Sequence, residues 1–406
     1  MTLVAVFVAL VFLYSLVSRR LERTVLTGPI VFTAAGIFSF LVHPQTPHRE
    51  GAVSLFLGLA EAGLVLILFA DSSRTDLGVL RSIRSLPTRL LSTGMLLTIL
   101  LGGLAALVVF PGLSVWDAGI LSAILAPTDA GLGQVIVNSP KVPMAVRQAL
   151  NVEAGLNDGL AVPFLLFFLA LAGTAAAGSH ARLAPFIVEQ LGFGTALGLG
   201  VGLAGGWLLG LAHGAKWSTE SLEQMGLAAL PILCLLGSPP IGASAFIAAF
   251  VAGLAVQVGF AGAGDHAIAF TEELGQVLSF AVFFLFGMLV ARDHAQFTPA
   301  AAMYAVMSLT VVRMLPVAIA LAGSGLARAT VLFMGWFGPR GLASIVLGLV
   351  YLEHSANPPG AAWIRPAVML TVLVSIFAHG LTALPGISVY ARRIAALGAH
   401  APELRA

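Results

Sequence analysis

Apolar stretches long enough to cross a bilayer follow one another along almost the whole chain, with polar and charged residues gathered in the short gaps between them. A helix rises ~1.5 Å per residue, so a hydrocarbon core of about 30 Å takes roughly 20 apolar residues. By that measure thirteen spans are predicted, over 2–18, 27–43, 51–70, 89–110, 115–138, 146–173, 185–213, 222–237, 240–259, 274–292, 298–323, 327–352 and 363–388. The eighth and ninth are parted only by Ser238, Pro239 and Pro240, so they also read as one re-entrant pair. The Ala-rich tract Ala175 to Gly178 reads as a loop. The pattern predicts an all-α polytopic membrane protein with about 13 transmembrane helices.

Two of the spans are interrupted in the same way. The fifth carries A-P-T-D-A at Ala126 to Ala130 and the twelfth F-G-P-R-G at Phe337 to Gly341, each a Pro and a charge inside an apolar run. Pro lacks a backbone donor and clashes with the preceding turn, so both crossing helices are predicted to be discontinuous. A charge near the bilayer centre costs a few kcal/mol or more and persists mainly in a protein-lined or watery cavity, which makes Asp129 and Arg340 functional candidates. The breaks fall seven spans apart, which fits two six-helix halves joined by the seventh helix. An odd linker turns the second half over, so the halves are expected to be inverted repeats meeting near the midplane, the arrangement of a secondary transporter.

Composition narrows the class further. Of 406 residues 59% are apolar and only 9% charged, where a soluble domain is about a quarter charged. A net charge of +2 on so few charged residues cannot build a phosphate-tracking surface, which excludes nucleic acid as a partner. The single Cys234 lies in an apolar run and excludes an intrachain disulfide. Thr2 to Ser18 is apolar with Arg19, Arg20 and Arg23 behind it, so it reads as a first spanning helix with its N-terminus outside rather than as a cleavable signal. That orientation puts fourteen Lys and Arg residues in cytoplasmic loops and tail, against Arg49, Arg182, Arg292 and Arg365 outside. Cytoplasmic loops carry such an excess. The expected placement is a multi-pass protein of the cell membrane with a cytoplasmic C-terminus, and Trp116, Trp217 and Trp363 lie near span ends as interfacial anchors do.

The sixth span contains N-V-E-A-G-L-N-D-G. On a helix Glu153 and Asn157 share a face, while Asp158 points about 100° away. A carboxylate in a low-dielectric cavity resists ionisation, so a proton and a small cation can compete for it, and such competition suffices for antiport. Thr128 and Asp129 at a helix break offer hydroxyl, carboxylate and freed carbonyl oxygens, the donors a hard monovalent cation needs. Asp158-Gly159 also reads as a turn, and Asp129 as a loop residue at the membrane edge. Arg340 needs a counter-charge if buried, and Glu153 is the natural partner; Arg313, in V-V-R-M-L-P, reads equally as a snorkelling residue or as half of a second buried pair. Gly198, Gly200, Gly202, Gly205 and Gly206 form a small-residue packing face rather than a dinucleotide loop, since no strand precedes them. His379, in F-A-H-G-L-T, could titrate near neutrality or be a satisfied structural residue. The lack of a phosphate-binding P-loop, a His–Cys metal cluster or a nucleophile elbow in the sequence argues against an energised pump or a membrane enzyme.

P-T-D at Pro127 to Asp129, Glu-x-x-x-Asn-Asp at Glu153 to Asp158, G-P-R-G at Gly338 to Gly341 and H-G-L-T-A at His379 to Ala383 occur in this order and spacing. In these pieces the chain resembles the NhaP-type sodium/proton antiporters of the monovalent cation:proton antiporter superfamily, over most of its length. The resemblance implies a homodimer in the lipid bilayer, moving by an elevator-like or rocking cycle. It divides the chain into a dimerisation domain of 1–88 and 222–294, a core of 89–175 and 298–390 with breaks at 126–131 and 337–341, a linker helix at 183–214, and a tail at 391–406. It further implies that Asp158 binds cation and proton, that Thr128, Asp129 and Asn157 contribute to that site, and that Glu153 and Arg340 form a bracing ion pair. Asp71 and His379 become funnel or accessory candidates. The family pattern often has Ser directly after the Glu, where this chain has Ala154.

The sequence thus predicts a secondary active antiporter exchanging Na⁺ or Li⁺ for H⁺, electroneutral at one for one, with the cation as cargo and no cofactor. A K⁺/H⁺ antiporter, or a Na⁺-coupled organic anion symporter of similar fold, is the alternative reading.

Overall fold

The computed structural model describes residues 2–21, 24–43, 50–74, 85–177, 185–186, 188–260, 265–353, 360–395 and 403. Of the basic residues counted for orientation, Arg23, Arg49, Arg81, Arg84, Arg182 and Arg405 lie outside this set. Every regular element among the described residues is helical. Among the described residues nine helices are long and apolar enough to cross a membrane, and four shorter apolar ones accompany them: Gly28–Val42, Val115–Ile124, Ala245–Gly259 and Leu342–Glu353. The all-α polytopic class is therefore what this chain adopts. Backbone donors and acceptors have no water to bond in hydrocarbon, and a helix satisfies them within itself.

By packing, the chain forms two compact units, one of Met1–Val53, Ile83–Asn157 and Phe280–Ala406, the other of Ser54–Ser82 and Asp158–Ser279. In the first, the helix Gly28–Val42 lies against the end of Asp265–Asp293 through a reciprocal pair of glycines. A Cβ on Gly36 would strike the Phe284 carbonyl, and one on Gly287 the Thr33 carbonyl. Without side chains at these two points the backbones meet directly, and the Phe32 and Phe280 rings stack at 4.5 Å beside them. The broken helices pack with the long helix Ala361–Ile394 around a core that includes Ile136, Val146, Phe333, Phe337, Ile387 and Tyr390.

The second unit is built on small residues. Positions Gly198, Gly202 and Gly206 of helix Gly194–Gly214 face the carbonyls of Ala248, Ala252 and Val256, one every four residues along Ala245–Gly259. Gly205 abuts the Leu230 side chain, and Gly200 faces open space. The glycine run is thus a packing face, with Gly200 outside it. The Ser238–Pro240 junction is one 3₁₀ turn, Pro239–Ile241, closed by Gly242 at φ 66°, a left-handed conformation that costs Gly nothing. It separates two helices, Glu220–Gly237 and Ala245–Gly259. Helix Met144–Ala177 runs through Ala175, Ala176 and Ala177, in place of the expected loop, because Ala is the strongest helix former; Gly178 is outside the described residues.

Candidate functional site

Both breaks form where Pro and charge interrupt the apolar runs, and both lie in the first unit. The first crossing helix is Val115–Ile124 followed by Ala130–Val137; the second is Arg328–Trp336 followed by Leu342–Glu353. The two unwound stretches are tied to each other. Asp129 N donates to Pro339 O at 2.8 Å, and the Asp129 carboxylate accepts from Leu132 N at 2.9 Å through Oδ1 and from Leu342 N at 2.6 Å through Oδ2. One carboxylate therefore stands at the N-termini of both second half-helices, where two helix dipoles favour negative charge. A Cβ on Gly341 would collide with this carboxylate, so the glycine is what lets Asp129 approach.

Arg340 is fully buried and serves the opposite end of the first break. Its Nη1 donates to Ala126 O at 2.7 Å and Pro127 O at 2.9 Å, while Ser344 Oγ donates to Ile124 O at 2.8 Å. These carbonyls have lost their helical partners to the unwinding, and buried acceptors need new ones. Helix Ala361–Ile394 splints the second break in turn. Ser375 Oγ accepts from Arg340 N at 2.6 Å, and His379 Nε2 lies 2.9 Å from Trp336 O. His379 Nδ1 lies 2.9 Å from Ser375 O and 3.1 Å from Ser375 Oγ, so each ring nitrogen has a carbonyl within hydrogen-bond distance.

The expected Glu153–Arg340 brace is corrected. Glu153 is held by Arg313, which donates through Nη1 to Oε1 at 2.6 Å and through Nη2 to Oε2 at 3.0 Å, with both residues buried. The reason is geometric: the Arg340 side chain is drawn to the stripped carbonyls of the first break, and Arg313 lies across Gly338, where any Cβ would meet its guanidinium. Of the two readings of Arg313, the buried pair is the one realised.

Asn157 closes the first break from the side. Its Nδ2 donates to Thr128 Oγ1 at 2.6 Å and its Oδ1 accepts from Thr128 N at 3.2 Å. A small cleft opens onto Thr128, Asp129, Glu153, Ala154, Phe337 and Pro339. Ala154, in place of the common Ser, lines this cleft with a methyl group. Asp158 is buried in mid-helix, 7% exposed, so it is no turn residue; Gly159 behind it makes room for the Phe250 ring. The structure gathers Thr128, Asp129, Glu153, Asn157, Arg340 and His379 in the first unit, whereas Asp158 and the half-buried Asp71 belong to the second. Ser344 and Ser375 were not singled out in the sequence; the four-residue spacing of Ser375 and His379, which puts them on one helix face, was the available signal. Among the described residues no three His, Cys, Asp or Glu side chains gather to hold a metal ion. The donors on offer are single carboxylates, hydroxyls and amides.

Comparison with known proteins agrees with this geometry. Residues 4–386 match the family described as sodium/hydrogen exchanger, transmembrane. The K⁺/H⁺ antiporter NhaP2 of Shewanella sp. strain MR-4 is 27% identical over 394 residues, covering 93% of this chain and 64% of that protein, so the chain spans somewhat under two thirds of its relative. A sodium, potassium, lithium and rubidium/H⁺ antiporter of Bacillus subtilis is 30% identical over 165 residues, 40% of this chain and 24% of that one. In fold, the sodium proton antiporter MjNhaP1 of Methanocaldococcus jannaschii superposes with a TM-score of 0.76 at 20% identity, covering 98% of this chain and all of that one. With crossed broken helices, a matching fold and a family match over nearly its whole length, this chain belongs to the transmembrane sodium/hydrogen exchanger family.

Proposed function

We propose that this protein is a secondary active antiporter that exchanges Na⁺ or Li⁺ for H⁺ by alternating access, one for one, with cation and proton competing for Asp158. The observation that carries the reading is the crossing of two unwound segments on the Asp129 carboxylate inside the first unit. Such crossings concentrate freed carbonyls and charges at membrane depth, where a transported ion needs them. Asp158 follows Asn157 on the same helix, so the amide that closes the break and the exchanging carboxylate are neighbours in the chain. Thr128, Asp129 and Asn157 are assigned to the cation site. With one exchanging carboxylate, Na⁺ in one direction and H⁺ in the other carry equal charge. The assembly proposed is a homodimer in the cell membrane with N-terminus outside and C-terminus cytoplasmic, divided into dimerisation and core domains as the sequence suggests.

A second reading, K⁺/H⁺ exchange, is favoured by one feature of the site. Ala154 puts a methyl group on the cleft where a serine hydroxyl would help strip water from the smaller ion, and the NhaP2 relatives are named for K⁺.

The test is cation-induced pH change in proteoliposomes, titrating Na⁺, Li⁺ and K⁺ against wild type and Asp158→Ala. Dissipation of a preset gradient by Na⁺ or Li⁺, abolished in Asp158→Ala, is the expected outcome. A response to K⁺ alone selects the second reading. Full exchange by Asp158→Ala sinks the assignment of the carboxylate.

A further inference from the structure

We propose that Arg365 and Asp293 form an ionic latch that holds one end of the first unit shut and lets go in each transport cycle. Its place in a cycle rests on the antiport reading above; the latch itself does not.

The cleft at the breaks runs from Thr128 and Asp129 past Gly133 and Ile136 to Val137, the last residue of the first crossing helix. The start of that helix lies at the other end, and there the chain is closed by contact. Gly112 packs under the Trp363 indole and Gly360 against the Asp117 carboxylate, each too close to admit a Cβ. Beside Gly360 and Trp363 on the same helix start, Arg365 reaches out to a second helix. It donates from Nη2 to Oδ2 of Asp293, the last residue of helix Asp265–Asp293.

Asp293 has another partner, and this changes what letting go costs. Arg292 donates through Nε to Oδ1 at 2.8 Å and through Nη2 to Oδ2 at 3.1 Å. Removing the partner of a buried carboxylate leaves its charge uncompensated, which is strongly destabilising. Asp293 is buried, yet when Arg365 leaves it keeps both bonds from its neighbour in the chain. The Arg365 side chain is 31% exposed, so its charge passes readily to water. The Glu153–Arg313 pair is the opposite case. Both side chains are 3% exposed, and among the described residues neither has a second partner of opposite charge, so that pair braces and does not switch. In the domain division proposed above, Asp293 ends the dimerisation domain and Arg365 belongs to the core. The pair therefore ties two parts that alternating access moves past each other.

The experiment is a cleavable cross-link in the full chain, reconstituted in proteoliposomes. In a Cys234→Ala background, Asp293→Cys and Arg365→Cys are joined by a short bis-methanethiosulfonate reagent whose links dithiothreitol reduces. The link is expected to abolish cation-driven proton exchange, and reduction to restore it. Wild-type turnover with the link in place overturns the latch as a moving contact, and failure to link overturns the pairing. Hydrogen exchange by mass spectrometry in nanodiscs is the second readout. Arg365→Ala should speed exchange by up to about fivefold at 289–293 and 361–365, the scale of a partly exposed ion pair. It should leave the melting temperature unchanged, because Asp293 keeps Arg292; a fall like that of a broken buried pair overturns the releasable pairing. Asp293→Arg combined with Arg365→Asp re-forms the pair in reverse and should restore slow exchange. Unchanged hydrogen exchange in Arg365→Ala overturns the latch whatever the protein transports. If the Cys234→Ala protein moves none of Na⁺, Li⁺ or K⁺ before linking, the antiport reading fails by itself and hydrogen exchange still decides the latch.

Discussion

The two crossing helices share a break of the same kind, yet they are held together differently. The first caps its own N-termini: Ser114 caps its first half and Asp129 caps its second. The second has no side-chain cap of its own at either start. Its first half begins after Ala327, which offers no side-chain acceptor, and its second half follows Gly341, which has no side chain, so Leu342 N is satisfied by Asp129 of the other helix. Its released backbone groups at Trp336 and Arg340 are likewise met by His379 and Ser375 of a third helix. The dependence is therefore mutual and differs by end: the first crossing helix supplies its own N-terminal acceptors but leaves the carbonyls of Ile124, Ala126 and Pro127 to Ser344 and Arg340 of the second, which in turn takes the acceptor for Leu342 N from Asp129.

The difference can be attacked directly. The largest effect is expected off the helices themselves, at Arg313→Ala. Glu153 is then buried without its bidentate partner, which costs about 3–5 kcal/mol, a loss to be read as a fall in melting temperature in detergent. Equal or greater damage from Arg340→Ala would contradict the pairing, since Glu153 keeps Arg313 in that variant.

Asp129→Ala comes next. Two buried backbone donors, one on each crossing helix, lose a charged acceptor, for about 3 kcal/mol in all. Hydrogen exchange should rise at the start of both Ala130–Val137 and Leu342–Glu353; a rise confined to the first would mean that the second helix does not depend on it.

The smallest effects compare the outer caps. Ser114→Ala should cost roughly 1 kcal/mol. Ala327→Ser should offer a side-chain acceptor to Thr330 N at an N-cap that makes no side-chain cap bond, and raise the melting temperature by the equivalent of up to about 1 kcal/mol; no gain would show that the added hydroxyl does not cap this end.

Several elements of this picture were legible in the chain. Pro127 with Asp129 and Pro339 with Arg340 announced both breaks, because in a bilayer a Pro and a charge inside an apolar run require an unwound segment enclosed by protein. Glu153 and Asn157 were readable as one helix face, and both do turn to the first break and its surroundings. The partner of Glu153 was not readable. Two arginines were available, and a sequence carries their charge but not which of them the stripped carbonyls of Ala126 and Pro127 will claim. The bond from Ala327 N to Glu403 gave no signal at all, as it is a contact across 76 residues.

What the sequence determined by itself is the helical, membrane-embedded character of the chain and the sites of its two breaks. These follow from local facts, namely the run of apolar side chains, the missing donor of proline and the cost of a charge in hydrocarbon. What only the tertiary structure decided is who satisfies the groups that the breaks release. Hydrogen bonds and ion pairs are short-ranged and directional, so the partners of Asp129, Glu153, Arg340 and Ala327 are chosen by which side chains the packing brings within about 3 Å.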